Sequence, residues 1–70
     1  MEASIRVSVN GQIRPVPAGL TVLGLLGFLE IAPDRVAVEL NREIAPKASW
    51  DTALVGDGAS IEIVQFVGGG

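Results

Sequence analysis

Ile5, Val7 and Val9 alternate with Ser4, Arg6 and Ser8, and a period of two predicts a half-buried strand. Asn10-Gly11 follows. A type I′ turn takes positive φ at both central positions, which this dipeptide tolerates, so a tight hairpin is expected there. Gln12-Ile13-Arg14 is the returning strand, and Pro15 and Pro17 either end it or place it on a sheet edge. After the Ala18-Gly19 bend the period changes. Val22, Leu25, Leu26 and Leu29 fall at i, i+3, i+4 and i+7, one face of a helix. Thr21 is placed to cap it. Gly24 and Gly27 lie on the far side of that helix, where each costs about 1 kcal/mol relative to alanine. Either the helix tolerates them or a partner backbone approaches that face. The helix should end near Glu30, with Pro33 beyond it.

Alternation returns at Val36, Val38 and Leu40 against Ala37 and Glu39, a third strand. Asn41-Arg42-Glu43 can turn, and Ile44-Ala45 can form a short return stopped by Pro46. Lys47 to Leu54 shows no period and reads as irregular chain or one helical turn. It carries Trp50, the single tryptophan, whose amphipathic ring suits either a satellite of the core or a recognition surface. Gly56-Asp57-Gly58 is a turn. A phosphate cradle would need a following helix and further glycine or lysine at set spacings, and none is present. The last strand runs from Ile61 to Val67. Ile61, Ile63 and Gln65 share one face, with Glu62, Val64 and Phe66 on the other. Both faces become apolar towards its end, as in a strand buried on both sides or one that offers a partner an apolar patch.

Strand, strand, helix, strand, short strand and strand make one domain, with the helix laid across one face of the sheet. Val22, Leu25, Leu26 and Leu29 would pack on Ile5, Val7, Val9, Val36, Val38, Ile61 and Ile63. The 70 residues, 49% of them hydrophobic, suffice for one small core. The sequence then closes on Gly68-Gly69-Gly70. Glycine has no Cβ, so such a run has little reason to fold and little bulk. It is either a frayed end or a thin strip that presents a carboxylate inside another protein. The organisation expected is a domain over residues 1–67 and a flexible tail over 68–70.

Composition narrows the chemistry. There is no histidine, cysteine or tyrosine. Ser/His/Asp and Cys/His catalysis are therefore excluded, and the commonest zinc ligands and any disulfide are missing. No metal is expected. Net charge is −3, and the five basic residues, Arg6, Arg14, Arg35, Arg42 and Lys47, are scattered. Nucleic acid calls for clustered positive charge, so it is not an expected partner. An acidic body favours encounter with a basic protein surface. The apolar stretch around Leu20 to Leu29 is too short to span a bilayer, and the N-terminus does not look like a signal peptide. Cytoplasmic location without membrane association is the expectation.

Several segments together resemble one family. They are Val7-Ser8-Val9-Asn10-Gly11, Thr21-Val22-x-x-Leu25-Leu26, Val36-Ala37-Val38-Glu39-Leu40-Asn41, Ile44-x-Pro46 with Trp50, Gly56-Asp57-Gly58, and Ile61 through Gly70. The sequence resembles the ThiS-type sulfur carriers of thiamine biosynthesis over nearly its whole length. That resemblance implies an α+β fold, the ubiquitin-like β-grasp, with a mixed sheet of four or five strands and one helix. It implies a carrier and not an enzyme. An E1-like adenylating enzyme would activate the Gly70 carboxylate with ATP. Sulfur from a cysteine desulfurase would convert it to a thiocarboxylate, and thiazole synthase would take the sulfur. ATP would belong to the activating partner, with no cofactor bound here. Gly68 and Gly69 would thread the partner sites, and Val64 and Phe66 are the candidate partner patch just before them. The family hallmark is Gly-Gly, and Gly68 is an additional glycine. Two alternatives share features: the small subunit of molybdopterin synthase, and a ubiquitin-like binding module or protein modifier.

Overall fold

The computed structural model describes residues 3–66. The expected tail, Gly68, Gly69 and Gly70, lies outside the described residues, as does Val67. Five strands and one α-helix form, in the order β1 (Ser4–Val9), β2 (Gln12–Pro17), α1 (Val22–Phe28), β3 (Val36–Leu40), β4 (Glu43–Ile44) and β5 (Ser60–Gln65). Short 3-10 turns occur at Pro33–Arg35 and Lys47–Ser49. The sheet order is β2-β1-β5-β3-β4. β1 and β5 run parallel at its centre, and the remaining pairs are antiparallel.

The hairpin forms where Asn10-Gly11 places it, with φ of 51° and 85° at the two residues. β2 then continues through both prolines to Pro17. The register explains why. Val9 pairs with Gln12, Val7 with Arg14 and Ile5 with Val16, and the Ala18 N–H donates to the Ala3 carbonyl at 3.0 Å. Counting by twos, Pro15 and Pro17 occupy positions whose N–H would point away from β1, towards the open edge. The missing donors are not needed there, and they blunt that edge against further pairing.

Thr21 caps α1 as expected: its Oγ1 accepts from the Gly24 N–H at 3.1 Å. The helix stops at Phe28, two residues before Glu30, because Glu30 adopts φ of 60° and turns the chain. Val22, Leu25 and Leu26 are buried, and Leu29 packs partly buried at the core margin. They meet Val7, Val9, Val36, Val38, Ile61 and Ile63. Val16, Val55 and Ala59 also enter the core. Trp50 is buried, and its indole N–H donates to the Ala45 carbonyl at 2.8 Å. The packing role of Trp50 is thus realised, and the 3-10 turn before it is the single helical turn foreseen in that segment.

Candidate functional site

α1 covers one face of the sheet, so the alternation of each strand sends every second side chain to the other face. On β5 these are Glu62 and Val64, followed by Phe66. Val64 is 57% exposed and Phe66 58% exposed. Of the two arrangements open from the sequence, an apolar patch on the outer face is the one observed.

The register supplies the neighbours. Ala37 of β3 lies opposite Val64, and Glu39 lies opposite Glu62. Ile44 of β4 pairs with Glu39, sharing its face, and is also exposed. Past the end of β5, the Phe66 N–H donates to the Arg35 carbonyl at 2.9 Å. This bond keeps Phe66 aligned with β3. The outer face therefore carries an apolar and acidic strip, with Ile44, Glu39 and Glu62 at one end and Phe66 at the other. Phe66 stands four residues before Gly70 in the sequence.

The alternation at Val36–Leu40 could have indicated Ala37 and Glu39 as outer-face residues. Their pairing with Val64 and Glu62 is a matter of register between distant segments, which no local pattern encodes.

β5 is pinned along its length. The Asn10 Oδ1 accepts from the Ile63 N–H at 2.7 Å, and its Nδ2 donates to the Ile63 carbonyl at 3.2 Å. The Asn41 Oδ1 accepts from the Ser60 N–H at 3.0 Å. Midway along β1, the Asp57 Oδ1 accepts from the Arg6 N–H at 3.0 Å, so the Gly56-Asp57-Gly58 turn serves to lock the fold.

The body itself offers little catalytic chemistry. Among the described residues no polar or charged side chain is buried, so none sits in the desolvated setting that tunes an acid or base. Nor, among the described residues, does any group of three or more acidic residues lie close enough to hold a metal ion. A cleft of about 390 Å³ opens on the helix side of the sheet, lined by Val9, Leu29 and Ile63 with Arg14 and Gln65 among its polar groups. It lies on the face opposite the strip. No helix among the described residues is long and apolar enough to cross a membrane.

Comparison with known proteins identifies the family and the fold. The family model described as the ThiS family matches residues 7–70. The crystal structure of the thiamine biosynthesis protein ThiS from Geobacter metallireducens superposes with a TM-score of 0.80 at 37% identity, covering 94% of this chain and all of that one. Both share the ubiquitin-like β-grasp. The sulfur carrier protein ThiS of Escherichia coli is 32% identical over 66 residues, which span 94% of this chain and 100% of its own. A thiazole synthase from Paramagnetospirillum magneticum is 46% identical over 66 residues, 94% of this chain. The chain spans only about a fifth of the length of that synthase, 20%.

Proposed function

The chain belongs to the ThiS family, and from that premise we propose that it is a sulfur carrier of thiamine biosynthesis whose Gly70 carboxylate is the working group. A carboxylate is a poor acceptor for a sulfur nucleophile until one oxygen becomes a good leaving group. An E1-like enzyme supplies that by adenylation: a carboxylate oxygen attacks the α-phosphorus of ATP and pyrophosphate leaves. The terminal sulfur of a persulfide charged by a cysteine desulfurase then attacks the acyl carbon and AMP leaves; a second thiol cleaves the resulting acyl disulfide, forming a disulfide with the sulfur-bearing cysteine and releasing the C-terminal thiocarboxylate. Thiazole synthase draws on that sulfur for the thiazole ring. Splitting one hard substitution into two easier ones is the logic of covalent catalysis, here acted out on a protein co-substrate. ATP, acid and base all belong to the partners, which is consistent with a chain lacking histidine and cysteine.

The observation that carries this reading is the reach of the family match, which extends through residue 70 and so includes the glycines. The strip from Glu39 and Glu62 to Val64 and Phe66 gives the body a means of being held while Gly68 and Gly69 thread the partner. Phe66 is suited to the anchoring part, since a single aromatic can dominate an interface. The relatives favour thiamine over molybdopterin duty, since one is a thiamine biosynthesis protein and another a thiazole synthase.

Intact mass spectrometry tests the proposal. Incubation with the adenylating enzyme, ATP, a cysteine desulfurase and cysteine should raise the mass by the difference between sulfur and oxygen, and deletion of Gly70 should abolish the gain. An unchanged mass overturns it, and an adduct to a target lysine in its place establishes the modifier alternative.

A further inference from the structure

Asn10-Gly11 has a chemistry that the hairpin does not use. An asparagine followed by glycine can close on itself. Once hydroxide removes the proton of the Gly11 N–H, that nitrogen can attack the side-chain carbonyl carbon of Asn10. The bond to Nδ2 breaks, ammonia leaves and a five-membered succinimide remains. Water then opens the ring at either carbonyl, to an aspartyl or an isoaspartyl residue. Glycine is the neighbour that favours this, because it puts no side chain beside the attacking nitrogen. Gly11 is exposed, and a Cβ built on it would meet nothing within 4 Å, so solvent reaches the site. The fold works against the reaction. Nδ2, the leaving group, donates to the Ile63 carbonyl at 3.2 Å, and Oδ1 accepts from the Ile63 N–H at 2.7 Å. Asn41, the other asparagine of the chain, supplies a contrast. It is also left-handed, with φ of 53°, and its Oδ1 accepts from the Ser60 N–H. The residue after it, however, is Arg42, whose side chain crowds the nitrogen that would attack.

We propose that Asn10 is a site of spontaneous deamidation, and that its hold on Ile63 is the guard against it. To bring its carbonyl carbon to the Gly11 nitrogen, the side chain has to release β5. The amide is therefore consumed in molecules whose hairpin has let go of Ile63, and the product keeps the hold from being restored. The aspartyl form has lost the Nδ2 donor, and its carboxylate sets an acceptor oxygen against the Ile63 carbonyl. The isoaspartyl form adds a methylene to the backbone of a two-residue turn, whose geometry fixes the register of β1 and β2. Either product removes the rung that supports β5 just before Val64 and Phe66. The proposal does not depend on the carrier reading.

Peptide mapping of the full chain after incubation at mildly alkaline pH tests this, with parallel samples in buffer and in guanidinium chloride. Trypsin cuts after Arg35, so Asn10 and Asn41 fall in separate fragments. In denaturant the Asn10 fragment should gain the mass difference between a hydroxyl and an amino group, while the Asn41 fragment stays largely unchanged. In buffer the conversion of Asn10 should be slower by about tenfold or more, as for any reaction that waits on local opening. Asn10→Asp, which reproduces the aspartyl product, should unfold at a lower urea concentration than wild type, having lost the donor to Ile63. Any of three results overturns the proposal: equal conversion of Asn10 in buffer and in denaturant, equal conversion of Asn10 and Asn41 in denaturant, or an Asn10→Asp chain as stable as wild type.

Discussion

Asn10 holds Ile63 by both of its backbone groups, accepting from the N–H at 2.7 Å and donating to the carbonyl at 3.2 Å. β1 ends at Val9, and β5 runs on past it. The Asn10 N–H still reaches the Ile61 carbonyl at 2.8 Å, and its side chain then supplies the rung that β1 no longer can. One residue thus closes the hairpin, with φ of 51°, and extends the parallel ladder towards Val64 and Phe66.

Replacing Asn10 should separate these two duties. Asn10→Gly keeps the positive φ and loses both side-chain bonds, at about 1–3 kcal/mol for two bonds of ordinary net worth. Asn10→Ala adds the strain of a left-handed alanine, a further cost of about 1 kcal/mol. Urea denaturation should therefore rank wild type above Asn10→Gly, and Asn10→Gly above Asn10→Ala. Equal stability of Asn10→Gly and wild type would mean that the bonds to Ile63 contribute nothing.

How far the sequence discloses the fold can be judged at particular residues. Ile5, Val7 and Val9 and the helix positions Val22, Leu25 and Leu26 were legible because burial imposes a local period. Thr21 and Asn10-Gly11 were legible because capping and turn chemistry are local. Val16 was not. It lies between two prolines that signal a strand's end, and its burial depends on β2 being an edge strand, where a missing N–H does no harm. The exposure of Val64 and Phe66 stayed open for the same kind of reason: whether a second layer covers that face is decided by the whole chain. The pairing of Glu39 with Glu62 spans 23 positions and follows from sheet order, which no window of sequence contains.

Trp50 ties the segment after β4 to the core. Trp50→Phe retains most of the apolar bulk but leaves the Ala45 carbonyl without the indole N–H that reaches it at 2.8 Å. A loss of about 1–2 kcal/mol is expected from that bond together with the smaller ring. Trp50→Ala should lose about 3–5 kcal/mol, as large aromatics do in a core. In a domain this small the alanine variant should be largely unfolded at 25 °C by circular dichroism, while the phenylalanine variant should show a lowered urea midpoint with an unchanged slope.

The turn between β3 and β4 offers a stabilising change. Asn41 and Arg42 adopt φ of 53° and 70°, the pair of left-handed residues that Asn10-Gly11 provides in the first hairpin. Arg42 has a Cβ and carries strain there, about 1–2 kcal/mol for a non-glycine residue. Arg42→Gly removes it but gives the unfolded chain more freedom, worth about 0.5–1 kcal/mol. The net expectation is a gain of about 0.5 kcal/mol, visible as a higher denaturation midpoint. A lower midpoint would show that the arginine side chain makes a contribution that its exposed position conceals.

Glu39 and Glu62 bring stability and recognition into opposition. They stand directly across β3 and β5 on the outer face, and both side chains are exposed. Like charges in that relation are destabilising, so Glu39→Gln or Glu62→Gln should stabilise the isolated domain by about 0.2–1 kcal/mol. Salt should shrink the difference, because screening relieves the same repulsion in the wild type. If the strip meets a cationic surface on the adenylating enzyme, the same substitutions should slow association several-fold at low salt and flatten its salt dependence. The pair of measurements is diagnostic, since a mutation that merely damaged the fold would lower stability and association together. Variants more stable than wild type yet loaded more slowly would place the acidic pair in the partner contact. Unchanged loading kinetics at low salt would remove these carboxylates from it.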